Sequence, residues 1–313
     1  MIHTTGGIAV EKRDNVLVAT ISNPPLALMD LTIVEEIGRL ADRASRDASV
    51  GAVVLTGAHP DRFVAHYDVA ELLANARSSP RVRPRTARTA LSVVAGLRKL
   101  PGADFLLQRS PAVGLWFVER FHQVLLSIES CPAVWVAAIN GSAMGGGSEL
   151  ALACDLRIAS SGDHAIGQPE IMLGFPPGGG ATQRLRRLLG TAGALQVVLD
   201  GRPLTPAQAL NLGLVDHVVD AESLLTFAVE EAARLGARPK TAIGATKRAI
   251  YQGASRPLER GLRFEASEFL AALGTHDALE AMEAYVHLTR ELGELPAYHT
   301  DTVATAFARG RFR

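Results

Sequence analysis

The chain has 313 residues, of which 48% are apolar and 20% are charged. Its 32 Lys and Arg residues balance 32 Asp and Glu residues, which excludes nucleic-acid binding driven by an overall basic charge. The apolar fraction excludes a largely disordered chain, and Cys131 and Cys154 are too few cysteines for a disulfide framework. No stretch has the pattern of a signal peptide or a membrane helix, so we expect a globular cytoplasmic protein without membrane contacts.

The first part of the chain alternates strand and helix patterns. Val16–Ile21 and Ala52–Thr56 are short β-rich runs that predict strands. Between them, apolar residues recur at helical spacing from Asp30 to Ala44, with Asp30 as the predicted N-cap. This order of elements predicts an α/β layer fold.

A basic segment at about residues 74–112 interrupts this pattern. It contains eight basic residues against one acid, Asp104, and five of its arginines lie within residues 77–88. We predict an insertion at or near the surface, partly mobile, with one short helix at Leu91–Leu100.

Regular patterns return after the insertion. A helix at Val113–Ile128 and a buried strand at Val134–Ile139 continue the α/β core, which we place at residues 1–205. We predict a helical C-terminal region at 206–292, and a tail at 293–313 that lacks strong helical periodicity. The predicted C-terminal elements are a helix from Thr205-Pro206 to Gly213, a short strand at Val215–Val219, and helices at about Ala221–Leu235, Pro239–Tyr251, Pro257–Leu273 and Thr275–Leu292.

A glycine-rich loop between a strand and a helix is the densest chemical signal. Gly145-Gly146-Gly147 precede a helix predicted to start near Ser148, with Glu149 in its first turn. Backbone N–H groups at such a helix start are unobstructed and can stabilise an oxygen that gains negative charge. The alternative is a tight packing turn in which Glu149 only favours the helix dipole.

Two further segments carry polar residues in informative positions. Glu170 lies between Pro169 and an apolar run, which predicts a partly buried carboxyl with a raised pKa that suits acid–base catalysis. A surface acid near a loop is the alternative. Upstream, Asp68 is a predicted helix cap, with Glu71 in the position that completes a capping box.

These segments together resemble the crotonase family, also called the enoyl-CoA hydratase/isomerase family. The motifs FVAHYDVAEL, INGSAMGGGSELALACDLRIA and GQPEIMLGFPPGGGATQRL occur in the family's order, and GRPLTPAQALNLGLVDHVV follows them. The resemblance runs from about Val10 to Arg290, apart from the insertion. It implies an α/β fold of repeated ββα turns with a helical C-terminal region that forms trimers, so we expect a homotrimer or homohexamer.

The resemblance also implies an acyl-CoA substrate and a role for each matching residue. The thioester oxygen would lie between the backbone N–H groups of Tyr67 and Gly146, while Glu149 and Glu170 would hold a water across the double bond. The presence of both glutamates favours hydration over reactions that need only one of them. No cofactor is implied, because coenzyme A is part of the substrate. The further residues implied to bind substrate are His66, Asp68, Gly145, Pro169 and Gly178.

The chain departs from the family pattern at several positions. His66-Tyr67 replace the usual Gly-Ala, although glycine adopts a positive φ more easily than histidine. Tyr67 either narrows the acyl pocket or points away from it, and His66 is either a packed ring or a catalytic one. Ala70 replaces a lysine near the coenzyme A, a charge that the arginine-rich insertion could supply instead.

Other functions remain open at this stage. Isomerisation uses one glutamate, and dehalogenation, decarboxylation and thioester hydrolysis use the same oxyanion pocket. A non-catalytic member could use the arginines of 77–88 to hold RNA or a partner protein. We expect no metal, because His59, His66 and His122 lack ligand spacing, and no nicotinamide cofactor.

Overall fold

A six-stranded sheet forms the centre of the protein. The computed structural model describes residues 6–78 and 83–313. In these ranges the strands of the large sheet are β1 (Gly7–Arg13), β2 (Val16–Ser22), β3 (Ala52–Gly57), β5 (Val134–Ile139), β7 (Leu156–Ser160) and β9 (His217–Val219). They follow that order across the sheet, with β1 antiparallel to β2 and every other neighbouring pair parallel.

A smaller parallel sheet lies beside the first. In the described ranges its three strands, in order across the sheet, are β4 (Arg62–Val64), β6 (Ser142–Met144) and β8 (Ile166–Gly167). Each follows a strand of the large sheet along the chain and precedes a helix or helical turn. The chain therefore forms three successive ββα turns, which confirms the predicted fold class.

Helices cover both faces of the large sheet. They are α1 (Leu31–Arg46), α2 (Val69–Ser78), α3 (Pro84–Leu97), α4 (Ala103–Gln108), α5 (Val113–Ser130), α6 (Gly146–Ala153), α7 (Ala181–Asp200), α8 (Pro206–Leu212), α9 (Leu224–Gly236), α10 (Lys240–Arg248), α11 (Leu258–Leu273), α12 (His276–Leu292) and α13 (Thr300–Arg309). The predicted Asp30 cap is confirmed, since its side chain accepts a hydrogen bond from Ile33 N at 2.9 Å. At α8, Thr205 and Gln208 form a reciprocal capping box.

Alternate residues of the buried strands point to two separate cores. Leu17, Val53 and Trp135 lie in a large cluster with α1 and α5, while neighbouring residues such as Val54 and Val136 pack on the other face against α9. This alternation follows from the two-residue period of a strand. It explains why Ala52–Thr56 and Val134–Ile139 are apolar throughout, as strands covered on both faces are.

The insertion is more regular than its sequence suggests. The helix expected at Leu91–Leu100 begins earlier, at Pro84, and ends at Leu97, because Pro84 occupies the first helical position. The shorter helix α4 and the end of α2 lie on either side of it in the chain. Of the arginines within residues 77–88, Arg81 lies outside the described residues.

A three-residue contact fastens the insertion to the core. Arg98 Nε, after α3, donates to Asp104 Oδ1 at 2.6 Å, and Trp116 Nε1 from α5 donates to the same oxygen at 2.8 Å. The Arg98 side chain is only 5% exposed. The Asp104 pKa is lowered by its hydrogen bond to Arg98, a direction that burial opposes.

The C-terminal region is helical, as predicted, but extends further than the sequence indicates. The expected tail at 293–313 contains α13 and a 3₁₀ turn at Pro296–Tyr298. Val303 and Phe307 recur four residues apart in α13, a single repeat that is weak evidence by itself. The helix end is held by Arg311, which forms ion pairs with Asp277 and Glu280 of α12.

Candidate active site

The site lies where the strands of the small sheet end. Tyr67 follows β4, Gly145 and Gly146 follow β6, and Glu170 follows β8. Because β4, β6 and β8 are parallel neighbours, their carboxyl ends meet at one edge. Residues from three separate ββα turns therefore come together, as is usual at the carboxyl ends of parallel strands.

Two backbone N–H groups, of Tyr67 and Gly146, belong to segments that lie close together. A Cβ on Gly146 would stand 3.3 Å from Tyr67 N and 3.3 Å from Tyr67 Cβ, so the two segments approach closely. Within the described residues, neither the Tyr67 nor the Gly146 N–H donates to an acceptor. Gly146 opens α6, where the first N–H groups have no partner in the helix. Paired donors of this kind can bind one oxygen that carries negative charge.

Gly145 is required by both backbone conformation and space. Its φ is +48°, in the region that residues with a side chain rarely adopt. A Cβ there would stand 3.0 Å from Glu170 Oε1 and 3.6 Å from His66 Cβ. Gly145 therefore allows the β6 turn to pass close to the Glu170 carboxyl.

Glu149 is almost completely buried and is held by backbone donors. Its side chain comes from the first turn of α6 and is 3% exposed. Oε1 accepts hydrogen bonds from Gly179 N at 2.7 Å and Ala181 N at 3.0 Å. Burial raises the pKa of Glu149, and these two hydrogen bonds act in the opposite direction. With Oε1 occupied, Oε2 is the oxygen left to interact with a ligand.

Glu170 begins a 3₁₀ turn at Glu170–Leu173 and is 9% exposed. Burial, with a smaller contribution from the charge of Glu149, raises the pKa of Glu170 to about 7. This agrees with the direction expected from its apolar surroundings. A carboxyl with this pKa can both donate and accept a proton near neutral pH.

Gln168 links Glu170 to α6. In the amide orientation that gives both its nitrogen and its oxygen a hydrogen-bond partner, Gln168 Nε2 donates to Glu170 Oε1 at 3.1 Å. The Gln168 side-chain oxygen then accepts from Ser148 Oγ at 3.0 Å. Gln168 and Ser148 are 1% and 2% exposed, so the chain of contacts is dry. It fixes the Glu170 carboxyl relative to the helix that carries Glu149.

The histidine at position 66 does not need the freedom of glycine. Among the described non-glycine residues, Asp14 and Ala27 have a positive φ, and His66 does not. Its Nδ1–H donates to the Tyr67 carbonyl at 2.7 Å, and its own carbonyl accepts from Met29 N. His66 is therefore tied to the segment that carries the Tyr67 N–H.

The other predicted residues support the backbone around the two glutamates. Asp68 caps α2 by accepting from Ala70 N at 2.8 Å, but its own N–H donates to Met29 O, so the expected capping box with Glu71 is incomplete. Pro169 precedes the 3₁₀ turn and accepts from Met172 N through its carbonyl. The Gly178 carbonyl accepts from His122 Nε2 at 2.6 Å.

Neither a metal-binding cluster nor a membrane-spanning helix is present among the described residues. In ranges 6–78 and 83–313, no group of three or more His, Cys, Asp and Glu side chains is placed to hold a metal ion. No helix in the part of the chain that the structure describes is long and apolar enough to cross a membrane.

Comparison with known proteins identifies the family. A sequence model described as "Enoyl-CoA hydratase/isomerase" matches residues 102–291. The "Short-chain-enoyl-CoA hydratase" of Clostridium acetobutylicum is 31% identical over 280 residues, which cover 89% of this chain and 94% of that protein. The chain belongs to the enoyl-CoA hydratase/isomerase family. The "Crotonyl-CoA hydratase" of Syntrophomonas wolfei is 30% identical, with the same shares of the two chains.

Solved structures of enoyl-CoA hydratases have the same fold. The enoyl-CoA hydratase of Bacillus anthracis superposes with a TM-score of 0.71 at 28% identity, covering 90% of this chain and 96% of the other. That of Polaromonas gives 0.72 at 26% identity, with the same coverage. The resemblance inferred from separated sequence motifs is thereby confirmed for the fold and the family.

Several residues around the two glutamates were not singled out from the sequence. Gly179 and Ala181 supply the N–H groups to Glu149, and the edge of the Phe121 ring lies near that carboxyl. Gln168 links Glu170 to Ser148. Gly179 lies in the sequence Gly178-Gly179-Gly180, but only the fold shows that a Cβ there would be 2.4 Å from Glu149 Oε2. Gln168 was visible beside Pro169 in this family's motif, whereas Phe121 carries no sequence signal beyond its apolar helix face.

Proposed function

We propose that this protein is an enoyl-CoA hydratase, which adds water to a 2-enoyl-CoA to form a 3-hydroxyacyl-CoA. The observation that carries the proposal is a pair of buried carboxyls, Glu149 and Glu170, beside two N–H groups without acceptors among the described residues. Addition of water needs an acceptor and a donor of protons as well as a place for charge on the thioester.

The N–H groups of Tyr67 and Gly146 serve as the oxyanion hole in this proposal. They donate to the thioester oxygen, which gains negative charge as water attacks C3 and an enolate forms. Fixed backbone donors in a dry site stabilise such charge without reorganising during the reaction. The start of α6 adds a favourable partial positive charge at Gly146.

The two glutamates divide the proton transfers. Glu149 has Oε1 fixed by two backbone N–H groups, so Oε2 accepts a proton from the water whose oxygen bonds to C3. Glu170, with its pKa near 7, donates a proton to C2 as the enolate collapses. Water thus supplies OH to C3, and the two carboxyls exchange one proton to return to their starting states.

Isomerisation of the double bond is the second candidate. The "Enoyl-CoA isomerase/hydratase fer4" of Mycosarcoma maydis is 39% identical over 186 residues, and covers 59% of this chain and 68% of that protein. Isomerisation needs one carboxyl to carry a proton between carbons and leaves the other without a chemical role. The two candidates therefore differ in how many glutamates are required.

The remaining parts of the proposal concern cofactor, location and assembly. The residues described suffice for the chemistry, so we propose that no cofactor is needed beyond the coenzyme A of the substrate, and that the enzyme is cytoplasmic. We also propose a homotrimer or homohexamer, because α11, α12 and α13 contain no buried residue. Their exposed apolar side chains include Leu262, Phe269, Leu270, Leu279, Met282, Val286 and Phe307.

Loss of the conjugated thioester absorbance of crotonyl-CoA tests the hydratase proposal. We expect wild-type turnover, and at least about a 100-fold lower kcat for each of Glu149→Gln and Glu170→Gln, the usual scale of a lost acid or base. Isomerisation is assayed in parallel with 3-butenoyl-CoA. Loss in only one glutamine variant would favour the isomerase, and full activity of both would contradict the assigned site.

A further inference from the structure

Three aromatic rings pack together at one side of the proposed active site. Tyr67, which follows β4, lies 4.8 Å from Phe117 and 6.3 Å from Phe121, measured between ring centroids. Phe117 and Phe121 lie four residues apart on α5 and are stacked at 6.2 Å. We call these three residues the aromatic cluster.

The aromatic cluster borders both halves of the site. Tyr67 Cβ lies 3.3 Å from the point where a Gly146 Cβ would stand, beside the pair of N–H groups. Phe121 Cε1 and Glu149 Oε2 both lie within 2.4 Å of the point where a Gly179 Cβ would stand, so the ring edge and the carboxylate are neighbours. An aromatic edge is the positive part of the ring and suits a carboxylate oxygen.

The cluster is closed rather than open. The three side chains are almost fully buried: Tyr67 is 7% exposed, and Phe117 and Phe121 are each 6% exposed. Side chains that line an open channel would be more accessible to water. The Tyr67 hydroxyl is buried, and no hydrogen bond to it has ordinary geometry among the described residues, although the Glu71 carboxyl is close enough to interact with it. Burial raises the pKa of Tyr67, and the charge of Glu71 adds to this, so the phenol stays neutral.

The position of the aromatic cluster limits the length of the acyl chain that the site can hold. The proposed function puts the thioester oxygen at the N–H pair and C2 and C3 between the glutamates. We take the carbons beyond C3 to extend past Glu149 toward the Phe121 ring, which lies beside that carboxyl. Protein interiors are packed at high density, so a longer chain must displace rings that already fill the space. Resting on the proposed function, we infer that the site prefers short-chain acyl thioesters of about four carbons, and that Tyr67, Phe117 and Phe121 set this preference.

Binding of saturated acyl-CoA separates this inference from the proposed reaction. Titration calorimetry would compare butyryl-, hexanoyl- and decanoyl-CoA, with free coenzyme A as the control that lacks an acyl chain. We expect wild-type protein to bind butyryl-CoA at least about tenfold more tightly than decanoyl-CoA, since even one methylene that a pocket cannot accommodate costs about tenfold or more. Burial of added methylenes would otherwise favour the longer chain.

Variants of the cluster provide the second arm. Phe117→Ala should lower the preference for butyryl- over decanoyl-CoA by at least about tenfold. If that variant does not fold, the milder Phe117→Leu should lower the preference by about threefold. Tyr67→Ala should act in the same direction, whereas Tyr67→Phe keeps the ring and should keep the wild-type ratio. Phe105→Ala, on the exposed surface of α4, is the matched control.

Tighter wild-type binding of decanoyl-CoA, or an unchanged ratio in folded Phe117→Ala and Tyr67→Ala, would overturn the inference. Preference for butyryl-CoA without hydration of any enoyl-CoA would support the inference and contradict the proposed reaction.

Discussion

The carboxyl of Glu170 provides the most direct residue-scale test of the site. Its pKa of about 7 lies above its ordinary value of 4.5, so the folded protein favours the protonated form. If Glu170 donates the proton to C2, kcat/KM for hydration should fall as pH rises through about 7. A flat profile from pH 6 to 8 would contradict this role.

The free energy of unfolding should also depend on the titration of Glu170. A raised pKa in the folded state adds stability that is fully present below the unfolded value and is lost as pH rises to the folded value. The window here runs from 4.5 to about 7. The unfolding free energy of wild type, relative to Glu170→Gln, should therefore decrease between pH 5 and 8. Urea titrations at several pH values measure this difference, with Glu222→Gln, an exposed acid, as control.

Gly146 tests the backbone donor separately from the space around it. Gly146→Pro removes the N–H at the first position of α6, where proline is tolerated, so the fold should survive. Loss of one oxyanion donor costs about 3 kcal/mol of transition-state stabilisation, or about 100-fold or more in kcat. Gly146→Ala keeps the N–H and adds only the tight contact with Tyr67. Equal losses in the two variants would indicate crowding instead of a missing donor.

Among the elements, the insertion has a defined attachment whose strength can be measured. Asp104→Ala would leave Arg98 and Trp116 Nε1 without their shared acceptor. The buried Arg98 guanidinium would lose its carboxylate partner. We therefore expect the free energy of unfolding to fall by about 2 to 3 kcal/mol. Thermal or urea unfolding measures the change, and Asp163→Ala in an exposed turn serves as control. A change under 0.5 kcal/mol would show that α3 and α4 are held by packing alone.

Charge on the insertion predicts an effect on substrate binding. Arg83 and Arg85 are exposed at the start of α3, in the segment that follows the Tyr67 loop and α2. If they meet the coenzyme A phosphates, replacing both with Ala should raise KM severalfold, flatten its salt dependence and leave kcat nearly unchanged. Arg46→Ala, exposed at the end of α1, is the matched control. An unchanged KM would assign these arginines to the solvated surface or to a contact between subunits.

Elements with long periodic patterns were predictable, and very short ones were not. β5 was also predicted with its observed bounds, because its apolar run is too short for a helix, is rich in β-branched and aromatic residues, and is followed by a turn signal. β4, β6 and β8 have two or three residues, too few for any period to appear. β1 is largely exposed and charged, since it lies at the edge of the sheet.

The site residues also differ in how well the sequence predicts them. Glu149, Glu170 and the glycines around 145 could be found because their local sequence carries the chemistry. Gly179 acts through its hydrogen bond to Glu149, Gln168 by joining Glu170 to Ser148 of another turn, and Phe121 through its place beside Glu149. No local pattern encodes such contacts without knowledge of the fold.

At the scale of the whole molecule, the C-terminal helices predict assembly. α11, α12 and α13 contain no buried residue and expose several large apolar side chains, as a face that packs on another subunit does. Light scattering after size exclusion should give a trimer or hexamer, built with closed point-group symmetry. Phe269→Asp, on α11 and 60% exposed, should shift the protein toward smaller species, whereas Leu26→Asp in an exposed loop should not. A monomeric wild type would contradict the assembly.

The pairing of β4 with β6 has a consequence for how the enzyme folds. Val64 pairs with Ala143, although the whole insertion lies between them in the chain. The entropy of closing such a loop grows slowly, by about 0.6 kcal/mol per doubling of length, so this connection can gain or lose chain at little cost in stability. Pairings between distant segments slow folding, however. Because Tyr67 meets Gly146 only after this pairing forms, recovery of activity during refolding should trail the formation of helices.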